Sequence, residues 1–289
     1  MTVVSQAAAP VTVEINGGLG NQLFQYAAAR ALALSRGAQL ILDAHFFDQG
    51  RHRQFELSQF PIQGTVIGHY QAPRLLRGPV SLVRTLRKAR LRKYQEPHFH
   101  FDPSFEQVKG PVYLKGYFQS PRYFERAEAT IHKELQPPEA TDAESLELAD
   151  LLSQSNSASL HIRRGDYVNN PAAARLFHSC SLDYYRRALE QLPGSGPVVI
   201  FSDDIEWVGE NFPAGARFRL AGTRGPRTGL ADLWLMSKAE HHVIANSTFS
   251  WWGAWLGSSA SGLTIAPRQW FRDPNWDCKD LIPSDWIRI

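Results

Sequence analysis

The chain has 289 residues, long for one domain and comfortable for two of ordinary size. Hydrophobic residues make up 43% and charged residues 20%, which supports a sizeable core and argues against disorder. The formal net charge of +3 is too small to argue for a nucleic-acid partner. Cys180 and Cys278 show no metal-ligand spacing and are expected as free thiols. No segment reads as a membrane span. The first ten residues lack a basic, apolar leader, so a cytoplasmic protein is expected.

In chain order, Val11 to Ile15 alternates and is β-branched, which predicts a strand. The glycine loop Asn16 to Gly20 follows. A helix is predicted from Asn21 to Arg36, stopped by Gly37, and then a strand from Gln39 to Asp43. This βαβ opening implies a parallel sheet. Residues 57–95 contain no acid, and the basic stretch 74–93 predicts either a helix meeting an anionic or membrane surface or a solvated face. Pro137-Pro138 and the acidic, then serine-rich, segment after it look like a junction. The α/β rhythm then restarts. Strands are predicted at 159–162, 197–201, 242–245 and 263–266, and helices at 182–192, 205–211, 230–238 and from Phe249. The division predicted is residues 1–150 and 151–289, two α/β halves with ligands at the carboxyl ends of their strands.

His161-Ile-Arg-Arg-Gly-Asp-Tyr167 carries the strongest chemical signal. Two arginines, a glycine and an aspartate at the end of a strand suit an anion-binding turn. A guanidinium donates two parallel charge-assisted hydrogen bonds to a diphosphate, and glycine lets the backbone approach it. The bland alternative is an Arg–Asp ion pair that ties the loop. In Asn246-Ser-Thr-Phe-Ser250, Ser247, Thr248, Phe249 and Ser250 fall where a helix begins, and a helix N-terminus attracts phosphate. Simple capping is the alternative there, and core packing is the favoured reading of Trp251, Trp252 and Trp255.

The loop Gly17, Gly18, Gly20, Asn21, Gln22 is a defective dinucleotide fingerprint, because Leu23 stands where the third glycine belongs. Its neutral amides suit a sugar or a phosphate. Phe201-Ser202-Asp203-Asp204 ends a strand, so its carboxylates are expected over the ligand. Asp232 lies early in a helix, where it could accept both donors of a guanine edge or merely complement the helix dipole.

GGLGNQLFQYA at 17–27, HIRRGDY at 161–167, the FSDD segment and NSTFSWWGAWL at 246–256 together resemble the α-1,2-fucosyltransferase family. Residues 112–124 resemble that family's aromatic segment in the first domain. The resemblance implies an α/β fold with two Rossmann-like domains facing across a cleft, of the GT-B type. It implies a GDP-fucose co-substrate, no cofactor and no metal, inversion at the anomeric carbon, and a galactose-containing glycan acceptor.

Carried over, Arg163 holds the β-phosphate with Arg164 in support, and His161 lies near the nucleotide. Asp232 resembles the guanine-reading aspartate of the α-1,6-fucosyltransferases. Asn246 and Ser202 join the donor set. Tyr117, Gln119 and Tyr167 are expected on the acceptor, which places it on the first domain and the donor on the second. Asp166 is the first candidate for the base, with Asp203 or Asp204 behind it. A fucosyltransferase of another linkage, an NAD-dependent oxidoreductase and a non-enzymatic sugar-binding module remain as alternatives.

Overall fold

In the computed structural model the described residues are 9–49, 53–68, 91–212, 215, 217–225, 227–257 and 261–289. The chain divides into two compact units, Met1–Leu135 and Gln136–Ile289. This division falls earlier than the predicted 150/151. The acidic helix Ala143–Leu152 packs with the second unit, where Leu148 and Leu152 share a core with Val199, Phe201 and Leu235.

The first unit is a five-stranded parallel sheet in the order β3-β2-β1-β5-β4. Its strands are β1 (Val11–Glu14), β2 (Leu40–Asp43), β3 (Thr65–Ile67), β4 (Arg92–Gln95) and β5 (Val112–Lys115). Thr12 of β1 sits beside Ile41 of β2 and Tyr113 of β5. Helix α1 (Leu19–Arg36) begins two residues before the predicted start, because Gly18 takes the extended cap position. Its end is as predicted: Gly37 adopts φ 58 and returns its N–H to Ala33 and Leu34. Leu23, Phe24, Ala27 and Ala28 of α1 have no exposed surface. Of the basic stretch 74–93, residues up to 90 lie outside the described residues, and Arg92 and Lys93 are exposed on β4.

One ionic cluster ties α1 to the end of this unit. Glu134, on the helix Glu128–Glu134, accepts from Tyr26 Oη at 2.6 Å. It also accepts from Arg30 through Nε and Nη2, the latter at 2.7 Å. Burial, with Glu134 as an acceptor beside it, keeps the Tyr26 phenol far above its ordinary range.

The second unit is a six-stranded parallel sheet in the order β11-β10-β9-β6-β7-β8. These strands are β6 (Ala158–Ile162), β7 (Val198–Ser202), β8 (Phe218–Leu220), β9 (His241–Val243), β10 (Thr264–Ala266) and β11 (Ile287–Arg288). Alternation along β7 sends Val198 and Ile200 into one core and Val199 and Phe201 into another, so the sheet is covered on both faces. Trp251 and Trp252 are fully buried, and Trp251 Nε1 donates to Leu281 O at 2.8 Å. They pack as core, as the sequence favoured. Among the described residues no helix is long and apolar enough to cross a membrane.

Glu134→Ala strips Tyr26 and Arg30 of their shared acceptor. Breaking a buried ionic cluster by removing one partner costs about 3 kcal/mol, less where a partner reaches solvent. The urea midpoint of the variant, followed by far-UV circular dichroism, is expected to fall accordingly. An unchanged midpoint would show that the cluster contributes little to stability.

Candidate active site

In the second unit, β6 is the hub. It lies between β7 and β9, and its last residue, Ile162, is in register with Ser202 of β7. The segments that follow β6, β7 and β9 therefore emerge side by side at one edge of the sheet. They are Arg163 to Tyr167, Asp203-Asp204 and Asn246 to Ser250, three of the segments singled out in the sequence.

Asp203 holds the first of these segments. Its Oδ1 accepts the backbone N–H of Arg164 at 2.9 Å and of Gly165 at 3.0 Å. Its Oδ2 pairs with Arg163 Nη1 at 2.8 Å. A Cβ on Gly165 would lie 2.7 Å from that oxygen, so a larger residue there would displace the carboxylate. Asp204 caps the helix Ile205–Asn211 and pairs with Arg164 Nε at 3.0 Å. The Arg164 guanidinium lies 4.2 Å over the Trp207 ring, and that of Arg163 lies 5.8 Å from the Tyr167 ring. Ser202 Oγ accepts the Asp204 N–H at 3.0 Å.

Both arginines are thus paired across the β6–β7 edge, the arrangement weighed as the bland alternative. Asp203 and Asp204 follow the end of β7, as the sequence reading placed them, and each is paired with an arginine. Burial opposes the charge on Asp203, but Arg163 and the two backbone donors outweigh it and hold its carboxyl below the ordinary range.

His161 is buried on β6, its ring centroid 5.8 Å from that of Phe249, and its Nδ1 has no partner among the described residues. Burial, and then the charge of Arg163, push its pKa well down, so the imidazole is neutral. Asn246 is fully buried and serves the fold. Its Nδ2 donates to His178 O and Trp270 O, and its Oδ1 lies 3.6 Å from Cys180 Sγ. Tyr167, expected on the acceptor, donates its hydroxyl to Asn246 O at 2.9 Å and stacks on Phe177. The helix Thr248–Gly257 opens beside them, with Ser247 and Ser250 buried and Thr248 and Phe249 half-buried. Asp166 lies in the short helix Gly165–Asn169, and its side chain is outside the described residues.

Asp232 is half-buried in the first turn of the helix Gly229–Met236. Its Oδ1 accepts from Arg227 Nε at 2.7 Å. Burial raises its carboxyl pKa above the ordinary value, and Arg227 opposes that rise. Arg227 also donates to Ser145 Oγ at 3.1 Å. The sequence reading missed Arg227. The signal was an arginine five residues before the acid, too general to single out.

In the first unit the glycine loop is held by its own amides. Gln22 is fully buried. It donates to Gly17 O and Gln54 O and accepts from Glu56 N–H at 2.9 Å. Gly17 adopts φ +78, and a Cβ there would lie 2.8 Å from Asn21 Nδ2. Asn21 Oδ1 accepts from Gln119 Nε2 at 3.0 Å, so two expected ligand residues meet each other. Gly18 faces Arg53, and Gly20 is buried within α1.

Tyr117 is 38% exposed, and its backbone N–H donates to Glu96 Oε2 at 2.6 Å. Phe118 donates to the same carboxylate at 3.0 Å while holding φ 54, rare for a residue other than glycine. Burial, against these backbone bonds, pushes the Glu96 carboxyl up to about 7. Glu96 was also missed, since nothing local marks it.

Both units are parallel α/β sheets, and the second carries paired arginines where its central strand ends. Residues 80–289 match the family described as glycosyl transferase family 11, and the chain belongs to that family. An alpha-1,2-colitosyltransferase of Escherichia coli is 34% identical over 96% of this chain and 98% of its own length. A galactoside 2-alpha-L-fucosyltransferase of Caenorhabditis elegans is 26% identical over 96% of this chain and 79% of its own. A solved glycosyl transferase family 9 structure from Veillonella parvula DSM 2008 is 9% identical. It has a TM-score of 0.53, with 100% of this chain and 88% of that one covered, and the likeness is one of fold. It agrees with the expected α/β fold.

Neutral His161 makes the fold sensitive to acid. An unfolded histidine takes up its proton near pH 6.5, and the folded one does so well below that. The stability it contributes is complete at neutral pH and is lost as pH falls through that window. Chemical denaturation at pH 7.5 and 5.5 should show a smaller loss for His161→Gln than for the wild type. Equal losses would mean that His161 takes up its proton over the same pH range folded and unfolded.

Proposed function

We propose that this glycosyltransferase moves L-fucose from GDP-fucose to O2 of a terminal galactose on a glycan acceptor, inverting the anomeric carbon. The observation that carries this reading is the arginine pair at the end of β6, fixed by Asp203 and Asp204 beside the helix that opens at Thr248. The donor belongs on the second unit and the acceptor on the first. The fucosyl relative in the same family supports the choice of sugar, and the colitosyl relative supports a second reading, transfer of colitose.

The chemistry follows from charge. A β-linked donor gives an α-fucoside by attack from the opposite face, through an oxocarbenium-like transition state. Negative charge then grows on the leaving diphosphate. Arg163, supported by Arg164, is the group proposed to receive it. Because Asp203 already fixes its guanidinium, little reorganisation is needed when that charge develops. A preorganised donor of this kind contributes roughly 3–4 kcal/mol. No metal or other cofactor is assigned. Among the described residues no three His, Cys, Asp or Glu side chains are grouped to hold a metal ion. Asp166 is the proposed base for the acceptor hydroxyl.

The test offers GDP-fucose or GDP-colitose with a galactoside in excess EDTA, followed by linkage analysis. An α-1,2-fucoside is expected. Arg163→Ala should abolish it, and Arg163→Lys should remain poor, since an ammonium keeps the charge but loses the planar fork. Transfer from GDP-colitose alone would replace the sugar assigned. Activity restored only by magnesium or manganese would make a metal the neutralising charge.

Asp232 is proposed to read the guanine edge, its carboxylate accepting from both the ring N–H and the exocyclic amine. The Arg227 bond would fix its plane. Asp232→Asn should weaken GDP binding at least about tenfold, the loss of a charge-assisted hydrogen bond worth roughly 1.5–3 kcal/mol. Calorimetric titration with GDP and with UDP decides it. Unchanged GDP affinity in a folded variant would move base recognition elsewhere.

A further inference from the structure

At the carboxyl edge of the first unit's sheet, the segments after β1, β4 and β5 line an open cavity of about 290 Å³. Asn16, Glu96, His98, Phe99, Lys115 and Tyr117 are among its lining residues. The volume is at the small end for ligand sites, which begin near ~300 Å³, and so suits a single ring rather than a nucleotide.

Its chemistry is mixed. The Tyr117 ring supplies an exposed apolar face with a polar tip, a surface that matches the C–H face and hydroxyl rim of a pyranose. His98 Nδ1 lies 2.9 Å from His100 O, and a carbonyl can only accept. In the neutral imidazole the proton is therefore on Nδ1, which leaves Nε2 as an acceptor. Lys115 Nζ lies 3.5 Å from Glu14 Oε1, so its charge is partly balanced, which disfavours a phosphate ligand. Asn16 adds a neutral amide.

The wall of the cavity is built deliberately. Glu96 accepts the N–H groups of Tyr117 and Phe118, and Phe118 is held at φ 54. Backbone held in a sparsely populated region clusters at ligand sites. Gly116 makes the approach possible, since a Cβ there would lie 2.4 Å from Glu96 Cβ.

We propose that this cavity binds one pyranose ring of the acceptor glycan, with Tyr117 as its stacking face and Glu96 as the residue that positions that face. The assignment rests on the glycosyl-transfer reading above and adds the residues that receive the acceptor.

The experiment uses the full chain and methyl β-D-galactoside as the probe. Saturation-transfer NMR should show the probe bound to the wild type and lost in Tyr117→Ala. Steady-state rates should show the acceptor KM raised about tenfold in Tyr117→Ala, with the GDP-fucose KM and melting temperature unchanged. Glu96→Gln keeps one acceptor oxygen and should raise the acceptor KM with kcat retained, whereas a merely structural role would lower the melting temperature without that selectivity. Probe that does not bind the wild type, or that binds Tyr117→Ala as well, overturns the proposal. If no sugar transfer is observed under any condition, the reaction assignment fails, and the NMR comparison still decides the cavity.

Discussion

Asp203 makes three contacts in the space of one side chain, and the edge of the second unit depends on them. Two backbone N–H groups of the Arg163–Gly165 turn and one guanidinium converge on its two oxygens. Asp203 is partly exposed, and its two oxygens are nonetheless both taken up by these contacts. The turn supplies them and is fixed in return. Gly165 leaves room for it, since a Cβ there would lie 2.7 Å from Oδ2 and push the carboxylate aside. The parallel register that sets Ile162 beside Ser202 brings the two segments within reach.

The same edge shows why the motif was legible and its partners less so. An Arg-Arg-Gly-Asp run after an apolar strand announces a charged turn from sequence alone. Which carboxylate fills it is a matter of register between strands that are 39 residues apart at Arg164 and Asp203. The long amphipathic helix α1 and the apolar strands β1, β6 and β7 were readable because their hydrophobic patterns are strong. The two- and three-residue strands β3, β8 and β11 lie below any periodic signal. The polar β4, Arg-Lys-Tyr-Gln, carries none, and its place is set by pairing with β5. The Arg30–Glu134 pair spans 104 residues, and no local rule reaches that far.

Neutral amides explain a different shift between sequence and structure. Gln22 in the glycine-loop segment looks like a ligand group, and with the neighbouring Gln25 it is a buried amide that must be satisfied by something. Here the backbone satisfies them. Gln25 Oε1 accepts the Asn16 N–H at 2.9 Å, and its Nε2 donates to Gly116 O at 3.1 Å. One side chain thereby ties the segment after β1 to the segment after β5. The polar residues of this loop shape the edge of the sheet, and the cavity beside Tyr117 forms where the two segments it joins meet β4.

The two units thus fix their loops by different means. The second unit uses ion pairs, Arg163–Asp203 and Arg164–Asp204, partly exposed at the ends of adjacent strands. The first uses amides and one carboxylate filled by backbone N–H groups, with its lysine beside Glu14. A guanidinium paired to one carboxylate keeps further N–H directions and a fixed plane, the requirement for meeting a diphosphate without reorganisation. The cavity beside Tyr117 has Lys115 partly balanced by Glu14 and Glu96 as a carboxylate in its wall, so it offers a phosphate less, and its mixed polar and apolar surface matches that of a sugar. On the proposed reading, the charged half of the reaction is handled beside the paired arginines, and the neutral half beside the Tyr117 ring.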